Sequence, residues 1–302
     1  MSVDAVLIAG PTASGKSAAA TAVAARLNGI VINADSMQIY REARILTARP
    51  SDEDMARTPH ALYGHVGVRD AYSVGRYRAD ATAALADART KRLLPIFTGG
   101  TGLYFAALTD GLADIPPIPA SVREAVRRRR EAIGAEAFHA ELAARDPGTR
   151  LRAGDTQRTL RAYEVIEATG KPLAHWQRVN GKGVLAGLTL ARFVIAPPRP
   201  RLHARIDARF DRMLAEGALE EAAALADIDA ALPAAKILGR RELLAAGAGQ
   251  LSLAEAATRA KAATRQYAKR QLTWFRHRMD DWAWLEPDGT GHFLTEMLAA
   301  LA

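Results

Sequence analysis

Short, unbroken apolar runs are the first regularity along the chain. Residues 4–9 (Asp-Ala-Val-Leu-Ile-Ala) lead into Gly10-Pro11, residues 29–34 (Gly-Ile-Val-Ile-Asn-Ala) stop at Asp35, and residues 93–98 close on Gly99-Gly100. Runs that are apolar at every position, not at alternate ones, predict strands buried on both faces, as in a parallel sheet. Between them lie segments with helical composition. Residues 16–28 and about 78–91 are rich in Ala and Arg and predict helices, the first ending near Gly29. Strands alternating with helices over about a hundred residues predict an α/β fold whose parallel sheet is covered on both sides.

The pattern then breaks at two stiff linkers, Ile115-Pro-Pro-Ile-Pro119 and Pro197-Pro-Arg-Pro200. Residues 121–180 between them are Arg-rich, helical in pattern and without strand signals, which predicts a helical insertion over 116–198 in a core made of 1–115 and 199–302. Residues 188–196 predict a strand returning to the sheet, 201–278 further helices, and 282–285 a short edge strand in which Trp282 and Trp284 alternate.

Composition narrows the class. The 302 residues are 49% hydrophobic and 25% charged, enough to build a core, and no apolar run reaches the ~18 residues of a membrane span. Asp4 stands where an export signal carries positive charge, so a cytoplasmic protein is expected. The absence of cysteine excludes disulfides, thiolate metal sites and cysteine nucleophiles. A net charge of +8 is weak evidence alone, because only seven of the 41 cations are Lys and a general Arg bias explains the total equally well. Its distribution says more. Residues 259–278 carry seven cations and no acid, and 127–130 are four consecutive arginines, a pattern suited to a polyanion such as nucleic acid. The run at 127–130 reads equally well as a solvated helix face.

The chemistry starts at Gly10-Pro-Thr-Ala-Ser-Gly-Lys16-Ser17, which fits the phosphate-binding pattern G-x-x-x-x-G-K-[S/T] between a predicted strand and helix. Gly10 and Gly15 let the backbone curl, so that Thr12, Ala13 and Ser14 present N–H groups to an anion at the helix N-terminus. Lys16 supplies a point charge and Ser17 a ligand for Mg²⁺. Phosphate binding leaves the reaction open. Asp35, in Asp35-Ser36-Met37-Gln38-Ile39-Tyr40, is on spacing alone equally a helix cap or a catalytic acid. The histidines 60, 65, 139, 175, 203, 277 and 292 show no paired metal spacing.

Several motifs in one order resemble the tRNA dimethylallyltransferase family: the loop at 10–17, residues 35–40, Gly99-Gly-Thr-Gly-Leu-Tyr104, Asp155-Thr-Gln-Arg158, residues 205–213, Ile237-Leu-Gly-Arg-Arg-Glu242 and residues 264–276. The resemblance spans almost the whole chain. It implies a P-loop α/β core with a helical insertion that holds the tRNA anticodon arm. The implied reaction moves a dimethylallyl group from dimethylallyl diphosphate to N6 of the adenosine just 3′ of the anticodon. Asp35 matches the general base, with Lys16, Ser17 and Thr101 beside it, and Arg209 is a candidate diphosphate clamp one turn from Arg205. The base-binding channel is expected from Asp35, Ser36, Met37, Gln38 and Thr101. The tRNA contacts are expected from Arg123, from Asp155, Thr156, Gln157, Arg158 and Thr159, and from Lys236, Ile237, Leu238, Gly239, Arg240 and Arg241. Lys269, Arg270, Gln271, Thr273, Trp274 and Arg276 complete them, and a monomer is expected.

Two segments depart from the family pattern. Leu46-Thr-Ala-Arg-Pro50 stands where Gly-Thr-Ala-Lys-Pro is expected, and His60-Ala-Leu-Tyr-Gly64 where His-His-Leu-x-Asp is expected. A free-nucleotide (adenylate) prenyltransferase would share the loop and Asp35, but a mononucleotide needs no long basic helical surface. A small-molecule kinase would share the loop, yet nothing after residue 115 suggests a nucleotide lid.

Overall fold

The computed structural model describes residues 3–178, 181–287 and 292–301. Residues 179–180 of the predicted insertion and the side chain of His292 lie outside what is described. Six strands, β1 (Ala5–Ala9), β2 (Gly29–Asn33), β3 (His60–Ala61), β4 (Leu94–Gly99), β5 (Leu190–Ile195) and β6 (Ala283–Leu285), form one sheet in the order β3-β2-β4-β1-β5-β6. Every adjacent pair is parallel. The helices are α1 (Lys16–Leu27), α2 (Asp52–Arg57), α3 (Val74–Thr90), α4 (Gly102–Thr109), α5 (Ala120–Arg145), α6 (Thr156–Thr169), α7 (Leu173–Gln177), α8 (Arg199–Ala215), α9 (Ala218–Ala224), α10 (Arg240–Gly247), α11 (Leu253–Arg278) and α12 (His292–Leu301).

The unbroken apolar runs are explained by burial on two sides. Ala5, Leu7 and Ala9 of β1 join a core with Phe97 and Phe105, whereas Val6 and Ile8 pack with Ala19, Ala20 and Val23 of α1 and Met297 of α12. Register aligns the strand ends that matter. Ala9 lies opposite Gly99 and Asn33 opposite Thr98, so the segments beginning at Gly10, Ala34 and Gly100 leave the sheet at one edge. That edge is the carboxyl end of the strands, where open parallel sheets bind ligands.

The chain divides into two compact units, residues 1–108 with 184–302, and Thr109–Gly183. The predicted boundaries at 116 and 198 therefore move. Helix α4 is buried through Leu108, so the first stretch of core ends there and not at the prolines. Val184 and Leu185 already donate to the carbonyls of Ala107 and Leu108, at 3.2 and 2.9 Å, before β5 begins. The smaller unit holds α5, α6 and α7 around Val126, Phe138, Leu142, Tyr163 and Ile166, with Phe138 stacked on Tyr163 at 4.6 Å.

Candidate active site

The loop after β1 is shaped by close packing. A Cβ on Gly10 would lie 2.6 Å from Ser14 Oγ and 2.8 Å from Ile195 O, so the strand-to-loop turn requires glycine. Ala13 (φ 64°) and Gly15 (φ 97°) are left-handed, which curls the backbone at the N-terminus of α1. Lys16 is buried, and its Nζ donates to Pro11 O at 3.3 Å. Burial lowers its pKa to about 8, with Asp35 opposing the shift and Arg209 adding to it. Burial likewise brings Arg209 down to about 10, again against the pull of Asp35. Two desolvated cations beside one carboxylate form a site short of negative charge.

Asp35 follows β2 and is only 8% exposed. Its Oδ1 accepts the Met37 N–H at 3.0 Å and caps a turn, not a helix. Asn33 fixes the backbone beneath it, accepting from Asp35 N–H at 2.8 Å and donating to Asp35 O at 3.0 Å. Thr101 Oγ1 accepts from Ser36 N–H at 2.9 Å and donates to Ser36 Oγ at 3.1 Å, so Thr101 braces this turn from the end of β4. Gln38 donates to the carbonyls of Thr47 and Ala48.

Two cavities meet at Thr12, Asp35, Thr47 and Arg209. One is cationic, lined by loop residues through Ser17 and by Arg205, Arg209 and Arg212. The other is apolar, lined by Met37, Leu46, Ile206, Phe210, Met213, Ile237 and Leu238. Helix α8 sorts the two. Arg205, Arg209 and Arg212 share one face and Ile206, Phe210 and Met213 another, each set at i, i+3/i+4, i+7 spacing. The apolar set and Arg212 had gone unread in the sequence, although that periodicity over 205–213 is visible in it.

The expected tRNA contacts separate into exposed and internal residues. Ile237 and Arg240 are buried, Arg240 donating to the carbonyls of Leu225 and Ala226, and Leu238 lines the apolar cavity; Lys236 and Arg241 are exposed. Gln271 is internal too. Its Oε1 accepts Thr12 N–H at 2.9 Å and its Nε2 donates to Gly100 O at 2.8 Å, tying α11 to the phosphate loop. Lys269, Arg270, Thr273 and Arg276 are exposed on α11, with Trp274 half-buried against Gly102. Gly99 and Gly102 thus admit Ala34 and Trp274, the protein's own groups. In the smaller unit Asp155 caps α6 by accepting Arg158 N–H, Thr159 is buried, and Arg123, Gln157 and Arg158 are exposed. Much of the arginine run is occupied internally. Arg128 pairs with Glu124, Arg129 with Glu141, and Arg130 donates to Thr156 Oγ1. The two departing segments meet each other: the Arg49 guanidinium passes so close to Gly64 that a Cβ there would collide with it.

The profile of the family described as IPP transferase matches residues 38–278, and that of isopentenyl transferase matches residues 3–64. A tRNA dimethylallyltransferase of Nitrobacter hamburgensis is 54% identical over 94% of this chain and 91% of its own, and one of Rhodopseudomonas palustris is 49% identical over 99% and 94%. The chain belongs to the tRNA dimethylallyltransferase family. It is a prenyl-transferring enzyme. Among solved structures, the tRNA isopentenylpyrophosphate transferase of Bacillus halodurans is similar with a TM-score of 0.70, 30% identity and coverage of 98% and 95%. A eukaryotic dimethylallyltransferase acting on tRNA gives a TM-score of 0.82 at 25% identity, covering 99% of this chain and 78% of its own.

Proposed function

We propose that the protein transfers a dimethylallyl group from dimethylallyl diphosphate to N6 of the adenosine immediately 3′ of the tRNA anticodon, giving N6-(dimethylallyl)adenosine and diphosphate. The observation that carries this is the junction of a cationic and an apolar cavity at Asp35. A donor with a charged head and an apolar tail fits that pair, head against Lys16 and Arg209, tail against Phe210 and Met213. The C1–O bond breaks with its electron pair leaving on the diphosphate, where Lys16, Arg209 and the loop N–H groups stabilise it. The N6 lone pair forms the new bond to C1. Adenine N6 is a weak nucleophile because its lone pair is delocalised, so Asp35 Oδ2 accepts its proton. A base reaches so buried a carboxylate only by leaving its stack.

Mg²⁺ fits this reading by the chemistry of its donors. Ser17 and Asp35 line the cationic cavity, and among the described residues no cluster of three acidic or His side chains offers a complete cage. An ion held by Ser17 would take its remaining ligands from the diphosphate and water, as this cation commonly does. When bound, it adds charge neutralisation to the leaving group. Exposed cations on α11 supply a surface for the RNA, and a protein that acts on tRNA is expected in the cytoplasm. Among the described residues no helix is long and apolar enough to cross a membrane.

Incubation with labelled dimethylallyl diphosphate and either tRNA or AMP tests the reading. Label is expected in tRNA alone, and mass analysis of the digested RNA should show the prenylated adenosine. Label in AMP, or phosphate transfer from ATP instead, overturns it.

A further inference from the structure

Buried apolar side chains wall the second cavity. On the diphosphate side it shares Thr12, Asp35, Thr47 and Arg209 with the cationic cavity. Away from that junction stand Leu46, Phe210, Met213 and Ile237, each at most 6% exposed. Arg209 and Phe210 both line this cavity, so the tail of a donor held at Arg209 in the proposed reaction would extend toward the apolar face of α8. The far edge of the Phe210 ring rests on Gly239, where a Cβ would lie 2.9 Å from Phe210 Cε2 and 3.7 Å from Leu46 Cδ2. Gly239 has φ 84°, a conformation strained for any other residue. The Phe210 ring therefore packs on the bare backbone of Gly239, and Leu46 belongs to the same buried cluster.

We propose that Phe210 and Leu46, packed over Gly239, restrict the prenyl donor to five carbons. This rests on the transfer reaction proposed above and adds which donors it admits. The bonds broken and formed at C1, and the proton passed from N6 to Asp35, are the same for any allylic diphosphate. Only the room beyond C1 differs. One methylene in a hydrophobic pocket changes kcat/KM by roughly 10- to 200-fold. A geranyl chain adds five carbons, and close-packed interiors do not yield that volume without displacing a side chain.

The experiment measures kcat/KM for dimethylallyl and geranyl diphosphate with one tRNA substrate, in wild type, Phe210→Leu and Leu46→Ala. The mass of the modified nucleoside identifies the group transferred. Wild type is expected to use the five-carbon donor, and each variant to raise the geranyl-to-dimethylallyl ratio by ~10-fold or more. Inhibition by inorganic diphosphate should stay at the wild-type value, since the wall does not touch the cationic cavity's loop, and a thermal melt reports folding. Should Phe210→Leu not fold, Leu46→Ala, on a loop segment, decides the matter alone. An unchanged ratio in a folded variant overturns this proposal while the proposed reaction stands. No transfer by wild type from dimethylallyl diphosphate overturns both.

Discussion

In the proposed reaction Asp35 holds two duties on two oxygens, and a single substitution separates them. Asparagine keeps Oδ1 for the Met37 N–H but cannot take a proton at the other position. Asp35→Asn should therefore melt close to wild type while prenyl transfer slows by roughly 10²-fold or more, as loss of a general base does. Normal turnover with a lowered Tm would reduce Asp35 to a cap. Lys16 leads to a pH effect. In the proposed reaction its charged form holds the diphosphate, and burial has brought its pKa down to about 8. Raising pH through that value removes the charge, so kcat/KM for dimethylallyl diphosphate should fall above pH about 8. Lys16→Arg should lose that alkaline limb, because guanidinium stays protonated there. A limb that persists in Lys16→Arg would assign it to another group. At this scale the phosphate loop was legible, because its residue types and spacing follow from local backbone needs. Gln271 was not read correctly. A polar residue in a basic helix suggests RNA, whereas its two bonds reach Thr12 and Gly100 across the fold.

Elements were legible in proportion to how local their causes are. The strands β1, β2 and β4 are apolar throughout because both faces are covered, and that pattern is written in consecutive residues. Strand β3 is two residues at the sheet edge and carries no such signal. Helix α4, buried from Tyr104 to Leu108, is as apolar as a strand, and a short apolar run cannot tell the two apart. The segment at 44–47 shows the same limit from the side of the site. Glu221 on α9 accepts the N–H groups of Arg44, Ile45 and Leu46 at 2.9, 2.8 and 2.8 Å, from about 175 residues away in sequence. That carboxylate holds Leu46 and Thr47 where they line the cavities. Glu221→Gln replaces one acceptor with a donor, so it should cost roughly 1–2 kcal/mol by losing charge-assisted hydrogen bonds. Dimethylallyl diphosphate should also show a raised KM. Chemical denaturation and steady-state kinetics read the two effects, and an unchanged denaturation midpoint with unchanged KM would remove Glu221 from the account.

Over the whole molecule, net charge says less than which cations are already occupied. Within the basic stretch 259–278, Lys261 pairs with Asp211 and Arg265 with Asp207, both on α8, so these two fasten α11 to the core. Lys269, Arg270 and Arg276 are exposed on the same helix, and Arg270 lies over the Tyr267 ring at 5.6 Å. The division predicts two different outcomes from removing similar charge. Replacing Lys269, Arg270 and Arg276 together by Ala should weaken tRNA binding and flatten its dependence on salt, because each lost phosphate contact releases fewer counterions. The slope of log affinity against log salt should drop by up to ~0.9 per contact, the duplex value, and by less on a structured loop. Affinity for dimethylallyl diphosphate should hardly change, since the site proposed for it is lined by loop 10–17 and the α8 arginines. Replacing Lys261 and Arg265 by Ala should instead lower the Tm and leave the salt slope intact. Titrating tRNA at three salt concentrations beside a thermal melt distinguishes the patterns. If the exposed trio leaves tRNA affinity unchanged at every salt, α11 is an ordinary solvated face, and the RNA is held elsewhere.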